Sequence, residues 1–138
     1  MSDSPIERLL QALERLDADA VAAMMATDGR ILTVDGRRAE GVEAVRQLVA
    51  DFMADLRSAS YTVTAQWHVD DVWIAEVEST YELKDQSLTG AIPRAFIVQH
   101  SPAGLTDVRV YGARERPLTD HAPGVGGLWI GGRWIPPL

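Results

Sequence analysis

The sequence predicts an α+β fold in which three N-terminal helices pack on one face of a curved, mainly antiparallel sheet. Up to about residue 56, apolar residues recur at helical spacing. From residue 60 onward the period changes to two, as in strands whose two faces meet different surroundings. Helices that precede an antiparallel meander in this way are typical of α+β domains.

Two helices are predicted at the N-terminus. Ser4-Pro5-Ile6-Glu7 has the form of a capping box, with serine at the N-cap, proline at the first helical position and glutamate three residues after the serine. A break at Asp17 separates this helix from a shorter one, which we expect to end near Asp28-Gly29. A short strand over residues 30–34 and a turn at Asp35-Gly36 then follow.

A third helix and four long strands complete the predicted domain. Residues 41–56 carry an apolar stripe along one helical face. Alternation of apolar and polar residues then predicts four strands, over residues 60–69, 72–83, 91–100 and 105–111. Tight turns at Asp70-Asp71 and at residues 101–104 allow consecutive strands to pair as hairpins.

Residues 117–138 differ in composition from the rest of the chain, with four prolines and five glycines. Gly131-Gly132, which lies between two Trp-Ile segments, predicts a small hairpin. Because an isolated two-stranded hairpin is only marginally stable in water, we expect its tryptophans to dock on the domain or on a partner subunit. We therefore divide the chain into a domain over residues 1–116 and a C-terminal tail over residues 117–138.

Composition restricts the classes of function. The length of 138 residues suits one domain with its own core, and the absence of cysteine excludes disulfides, thiolate catalysis and cysteine-ligated zinc. A formal net charge of −7 without a basic patch disfavours nucleic-acid binding. Apolar runs stay well below the roughly 18 residues of a membrane span, and no signal segment follows the polar N-terminus. We therefore expect a cytoplasmic protein that binds neither nucleic acid nor membranes.

Three segments of the chain carry a family resemblance. They are residues 16–20 ahead of the second helix, residues 39–45 at the start of the third, and the strands between residues 72 and 111. Together they resemble the SnoaL-like branch of the nuclear-transport-factor-2-like superfamily, over roughly residues 4–113. The resemblance implies a SnoaL-like α+β barrel domain, a cone-shaped fold closed around one internal apolar pocket, and a homodimer that binds a small apolar molecule. It implies no particular reaction, because this fold hosts isomerases, cyclases, dehydratases, epoxide hydrolases and non-catalytic modules.

The catalytic residues of two related groups match this chain poorly. Ketosteroid-isomerase-like members use a tyrosine from the first helix, which residues 4–26 lack, and an acidic base before the third helix, which Asp35 matches approximately. An aspartate that precedes glycine is also a common turn former. Limonene-epoxide-hydrolase-like members use an Arg-x-Asp pair, whose positions hold Glu76 and Glu78 here, and a last-strand aspartate whose position holds Val110.

Glu76 and Glu78 are the candidate catalytic residues. They lie two residues apart on a predicted strand, so their side chains share one face. If this face lines the cavity, burial and mutual repulsion would suit one carboxyl group to act as a general acid or base. The alternative is a solvated face, which the apolar residues of the opposite face favour.

Four further residues are candidates for ligand binding. Arg94, in an otherwise apolar strand, could anchor a ligand carboxylate, although an ion pair with Glu76 or Glu78 is the favoured interpretation. His68 could shuttle protons or lie at the surface, and Tyr81 could donate its hydroxyl to a ligand or pack in the core. Asp35 is included for its position before the third helix. No histidine has partners at metal-ligand spacing, and we expect neither a metal nor a cofactor.

Two functional hypotheses remain open. The first is a binding domain with an internal pocket and without catalytic residues. It is supported by the poor match to the catalytic residues of related groups and by the tryptophan-rich tail. The second is a cofactor-independent acid–base enzyme of the isomerase, cyclase or dehydratase type. It is supported by Glu76, Glu78 and Arg94.

Overall fold

The computed structural model describes residues 4–112 and two short strands of the C-terminal segment. The described helices are α1 (Pro5–Glu14), α2 (Ala18–Met24) and α3 (Val42–Met53). The strands are β1 (Met25–Leu32), β2 (Arg38–Glu40), β3 (Leu56–Val69), β4 (Val72–Leu83), β5 (Ile92–Ser101), β6 (Gly104–Gly112), β7 (Leu128–Ile130) and β8 (Arg133–Ile135). Strands β1 to β6 form one sheet in the order β2-β1-β6-β5-β4-β3, so the α+β prediction is confirmed.

The N-terminal helices begin at their predicted capping residues. The Ser4 hydroxyl oxygen accepts a hydrogen bond from the backbone N–H of Glu7 at 3.2 Å. The same hydroxyl donates to Gln66 Oε1 at 3.0 Å, which ties the start of α1 to β3. Asp17 caps α2 by accepting from the N–H of Ala20 at 2.9 Å. Side-chain caps satisfy backbone donors that the first helical turn leaves without partners.

The predicted end of the second helix is wrong. The helix ends at Met24, and Met25 already has an extended conformation and belongs to β1. Strand β1 pairs in parallel with β6, and their register shifts between Met25 and Arg30. Gly29 lies at this shift, where a Cβ atom would be 2.5 Å from the carbonyl oxygen of Leu105. The glycine therefore allows a close strand approach and does not stop a helix. The short strand β2 was not predicted, because three residues are too few to show alternation.

Strands β4, β5 and β6 agree with prediction to within one residue at each end. The third helix ends at Met53 instead of residue 56, and β3 begins at Leu56, four residues before its predicted start, and contains a β-bulge. Val63 pairs with Val77 on the inner face, but the register then shifts so that Ala65 pairs with Glu76. The bulge moves Trp67 to the outer face of the sheet, where it is 50% exposed. The prediction of one uninterrupted alternation over residues 60–69 is therefore wrong for the second half of the strand.

The core lies between the helices and the inner face of the sheet. Its buried residues include Leu9 of α1, Val45 of α3 and Val98 of β5. Strands β7 and β8 pair antiparallel with Trp129 opposite Trp134, as predicted for the tail. The docking of this hairpin on the domain or on a partner subunit stays a prediction, as does the domain boundary at residue 116. Among the described helices, none has both the length and the apolar character needed to cross a bilayer.

Candidate functional site

A cavity of about 110 Å³ lies between the helices and the inner face of the sheet. Helix α1, helix α3 and strands β5 and β6 provide most of its walls. These walls are mainly apolar and include Leu9, Leu13, Val21, Ile31, Leu48, Val49, Phe52, Phe96, Val108 and Val110. The polar side chains are gathered at two places, one inside the sheet and one in the turn after β1.

The inner polar group consists of Arg94 and Ser79. Arg94 is only 6% exposed, and Ser79 is fully buried. Arg94 Nε donates a hydrogen bond to Ser79 Oγ at 3.0 Å, and Ser79 Oγ donates to the carbonyl oxygen of Ile92 at 3.2 Å. The serine therefore links the guanidinium to the backbone of a neighbouring strand.

The predicted ion pair between Arg94 and Glu76 or Glu78 is wrong. Arg94 lies directly across from Val77 in the β4–β5 register, and its side chain shares the inner face with Ser79. Glu76 and Glu78 point to the opposite side of β4, because adjacent residues of a strand alternate between its faces.

Aromatic rings border the inner polar group. The guanidinium carbon of Arg94 lies 5.7 Å from the ring centroid of Tyr81, within the range of a cation–π contact. The Tyr81 hydroxyl is 3.2 Å from that of Tyr61, and the two rings meet edge to face with their centroids 5.9 Å apart. Phe52 packs edge to face on Tyr81 at 5.6 Å. Tyr81 is 3% exposed, so this part of the wall is closely packed.

Asp35 lies in the turn after β1 and also lines the cavity. Its carboxylate accepts hydrogen bonds from the Thr33 hydroxyl, from the Arg37 backbone N–H at 3.3 Å and from Arg37 Nε at 2.9 Å. The hydrogen bond from Thr33 is the main cause of a pKa below the usual value for this carboxyl group, and partial desolvation opposes it. The structure thus shows Asp35 as a turn-forming, ion-paired residue at the edge of the cavity.

Glu76 and Glu78 do not line the cavity. Both side chains are exposed, whereas Ala75, Val77 and Ser79 between and beside them are buried. The hypothesis that the glutamate face of β4 lines the cavity is therefore wrong, because both side chains lie on the outer face of the sheet. The apolar face of the strand is the one that packs on the helices.

His68 also lies away from the cavity. It is exposed near the end of β3, and its ring stacks on that of Trp73 with centroids 3.8 Å apart. Its Nε2 is 2.6 Å from the carbonyl oxygen of Asp70. Within the described part of the chain, no group of three carboxylate or imidazole side chains is arranged to hold a metal ion.

Two residues of this region were not among the candidates predicted from the sequence. Tyr61 lines the cavity, and Ser79 accepts the hydrogen bond of Arg94 behind the cavity wall. Ser79 carried a usable signal, since a polar side chain on a buried face must find a hydrogen-bond partner. The lone arginine of the adjacent apolar strand, Arg94, is that partner.

Comparison with known proteins identifies the family and the fold. A family model of the SnoaL-like domain matches residues 6–111. No curated protein sequence matches the chain. Among solved structures, a protein with a ketosteroid-isomerase-like fold from Catenulispora acidiphila, in complex with trimethylamine, is 17% identical, with a TM-score of 0.74 over 82% of this chain and 88% of that one.

Two further structures have the same fold. An NTF2-like protein of unknown function from Burkholderia pseudomallei is 10% identical, with a TM-score of 0.69 over 79% of this chain and 88% of its own. An LEH-like epoxide hydrolase from M. tuberculosis is 16% identical, with a TM-score of 0.67 over 79% of this chain and 80% of its own. The match over residues 6–111 covers most of the sequence, and the chain therefore belongs to the SnoaL-like domain family.

Proposed function

We propose that this protein is a small-molecule-binding domain whose ligand occupies the internal cavity. The observation that carries the proposal is an apolar cavity of about 110 Å³ with its buried polar groups concentrated around Arg94 and Ser79. Ligand sites typically combine apolar walls with a few polar groups that fix the orientation of the ligand. For comparison, an engineered apolar cavity of about 150 Å³ is large enough to bind benzene. Because the cavity of this protein is smaller, the part of the ligand that enters it is at most about the size of one ring.

Binding without catalysis is the better-supported form of this proposal. Asp35 is the carboxylate found among the described cavity residues, and its lowered pKa makes it a weak general base near neutral pH. Glu76 and Glu78, the acids predicted for catalysis, are on the outer face. The described cavity residues therefore lack a matched general acid and base.

An acid–base enzyme remains the second candidate, for a specific reason. The hydroxyl groups of Tyr61 and Tyr81 are adjacent in the cavity that Asp35 also lines. Since one of these hydroxyls donates to the other, the pair could give one hydrogen bond to a carbonyl oxygen of a bound molecule while a carboxylate removes a nearby proton. If the protein catalyses such an isomerisation, Asp35→Asn would lose turnover but keep ligand affinity. Unchanged turnover of a confirmed substrate would eliminate Asp35 as the base.

Ligand binding is best tested with a variant that fills the cavity. Val110→Phe adds a ring at the cavity wall, and Val69→Phe adds the same ring at an exposed position of β3. Binding of benzene, toluene and indole is measured by the shift in melting temperature and by ligand-observed NMR. A ligand at 100 times its Kd should stabilise the protein by about 2.7 kcal/mol. Loss of binding in Val110→Phe but not in Val69→Phe supports the proposal, and equal binding by both variants contradicts it.

We also propose that the protein forms a homodimer through the outer face of its sheet. Trp67, Ile74 and Ile97 lie side by side on three adjacent strands and form an apolar strip there. A two-fold axis through the strip packs the apolar side chains of the two copies against each other, which makes a second copy the matching partner. Arg109, which continues the row on β6, pairs with Asp107 of its own chain at 3.0 Å.

The dimer is tested by mass measurement. Trp67→Asp places a charge at the exposed end of the apolar strip, and Lys84→Asp places the same side chain in an exposed loop after β4. Light scattering after size exclusion should give a dimer mass for the wild type and the Lys84 variant, and a monomer mass for the Trp67 variant. A wild-type monomer at micromolar concentration would rule out this interface.

A further inference from the structure

A groove of about 570 Å³ lies on the outer face of the sheet, across strands β2, β1 and β6. We propose that this outer groove is a second binding site, which takes the phosphate group of a small molecule through Arg30, Arg38 and Arg109. It is separate from the internal cavity, because Ile31 and Val108, which adjoin two of these arginines in the chain, point to the inner face. The proposal does not depend on the function proposed for the cavity.

The strand register brings the three arginines together. Leu32 of β1 has Arg38 across from it on β2 and Arg109 across from it on β6. Arg30 lies two residues before Leu32 on the same face of β1, which makes it a diagonal neighbour of Arg38 within reach of a long side chain. The three arginines come from separate parts of the chain, so the sequence itself shows no basic patch.

Asp107 fixes the orientation of one guanidinium group. Its side chain is only 13% exposed, and its Oδ2 accepts a hydrogen bond from Arg109 Nε at 3.0 Å and lies 3.0 Å from Arg109 Nη2. Arg30 Nη2 approaches the same oxygen at 3.9 Å. Because a guanidinium has five N–H donors, this contact leaves other N–H groups of Arg109 for a ligand.

The charges of the outer groove favour an anion. Three arginines and two carboxylates, those of Asp107 and Glu40, line the groove, so its formal charge is positive in a chain whose net charge is −7. Asp107 is engaged by Arg109, whereas Arg38 is exposed and has no carboxylate partner among the described residues. The uncompensated charge therefore lies at Arg30 and Arg38. Two neighbouring guanidinium groups match a phosphate dianion better than a carboxylate monoanion.

The size of the outer groove indicates a small molecule. A volume of about 570 Å³ is within the range of small-molecule sites. A long polyanion such as nucleic acid would be repelled by the net charge of −7, and its binding requires many basic contacts. Tyr111 is 43% exposed and lies two residues from Arg109 on the same face of β6, so its ring can pack against the organic part of a phosphate ester.

The test compares phenyl phosphate, inorganic phosphate and acetate by calorimetry with the full chain at pH 8, where both phosphates are largely dianions because their second pKa is about 6–7. We expect at least one phosphate to bind about ten-fold more tightly than acetate. Tighter binding of phenyl phosphate would identify an ester as the ligand, and equal or tighter binding of inorganic phosphate would identify the free ion. Acetate binding as tight as that of both phosphates, or no saturable phosphate binding at millimolar concentration, would overturn the proposal.

Matched variants assign the binding to the outer groove. Arg30→Met and Arg57→Met each remove an exposed arginine with a loose ion pair, at 3.9 Å and 3.8 Å, but Arg57 lies on β3 at the opposite side of the sheet. Arg30→Met and Arg38→Met should each weaken phosphate binding by up to about five-fold, which is the effect of one exposed charge contact. Arg57→Met should bind as the wild type does. Binding by either groove variant equal to that of Arg57→Met would overturn the assignment.

Nuclear magnetic resonance separates the outer groove from the internal cavity. Phenyl phosphate should shift the backbone amide signals of Arg38 and Arg109 and leave unchanged those of Leu9 and Val49, which line the cavity. Shifts confined to the cavity residues would overturn the second site and would support the function proposed for the cavity instead. The two proposals can therefore fail independently.

Discussion

Replacement of Ser79 by alanine should destabilise the protein far more than the loss of one small side chain suggests. The serine is fully buried, accepts a hydrogen bond from the charged Arg94 side chain and donates one to the Ile92 carbonyl. A hydrogen bond to a charged group contributes about 1.5–3 kcal/mol, and a buried donor left without its acceptor costs a similar amount. We therefore expect the free energy of unfolding to fall by about 2–3 kcal/mol, which corresponds to roughly 10 °C in melting temperature for a domain of this size.

Urea denaturation followed by circular dichroism measures this change. The midpoint should fall while the slope of the transition stays constant, since the surface exposed on unfolding is nearly the same. Ser60→Ala, at an exposed position of β3, is the matched control and should change stability by less than about 0.5 kcal/mol. A double-mutant cycle with Arg94→Met should give a coupling energy of about 1 kcal/mol or more. A loss below about 0.5 kcal/mol in Ser79→Ala would refute the view that the serine satisfies the guanidinium.

Three other predictions follow from the fold and the cavity. The double variant Glu76→Gln, Glu78→Gln should bind cavity ligands as the wild type does, because both side chains are exposed; lost binding in calorimetry would place them at the site after all. Because the pKa of Asp35 is lowered in the folded state, its ionised form stabilises the fold at pH values above the usual pKa of 3.8. This contribution disappears as the pH falls through the lower pKa of the folded state. At pH 7 the free energy of unfolding of Asp35→Asn should therefore be lower than that of the wild type, by under about 1 kcal/mol because the group is so exposed. Near pH 2 the two proteins should be equally stable. A difference in urea midpoint that stays the same at both pH values would contradict this. Gly29→Ala should lower the free energy of unfolding by about 1–3 kcal/mol, because the added Cβ would lie 2.5 Å from the backbone oxygen of Leu105. A urea midpoint equal to that of the wild type would show that β1 and β6 can move apart.

The elements that sequence predicted well are those whose signals are local. Ser4 caps α1 through a contact three residues away, and Asp17 caps α2 in the same manner. Strand β4 begins and ends at its predicted residues, since a turn at Asp70-Asp71 precedes it and a polar loop follows it. Such signals depend on neighbours in the chain and require no knowledge of the tertiary structure.

The errors lie where a distant strand decides the structure. Met25 continues a helical pattern, yet it is extended because β6 pairs with it in parallel. The bulge between Val63 and Ala65 leaves no mark in the sequence, but it reverses the faces of the rest of β3. The inner face of β4 was predictable from its apolar residues, because Val77 and Tyr81 make it the more apolar of the two faces.

The position of the buried charge follows from the register of the two central strands. Val77 lies across from Arg94 in the β4–β5 pair, and Phe96 and Val98 follow on the same face of β5. A shift of β5 by one residue would turn Phe96 and Val98 to the outer face and remove Arg94 from the cavity, because neighbouring residues of a strand alternate in direction. The apolar residues that fix this register thereby also fix the guanidinium inside. Variants that disturb this register should therefore lose stability and also remove the guanidinium from the cavity wall.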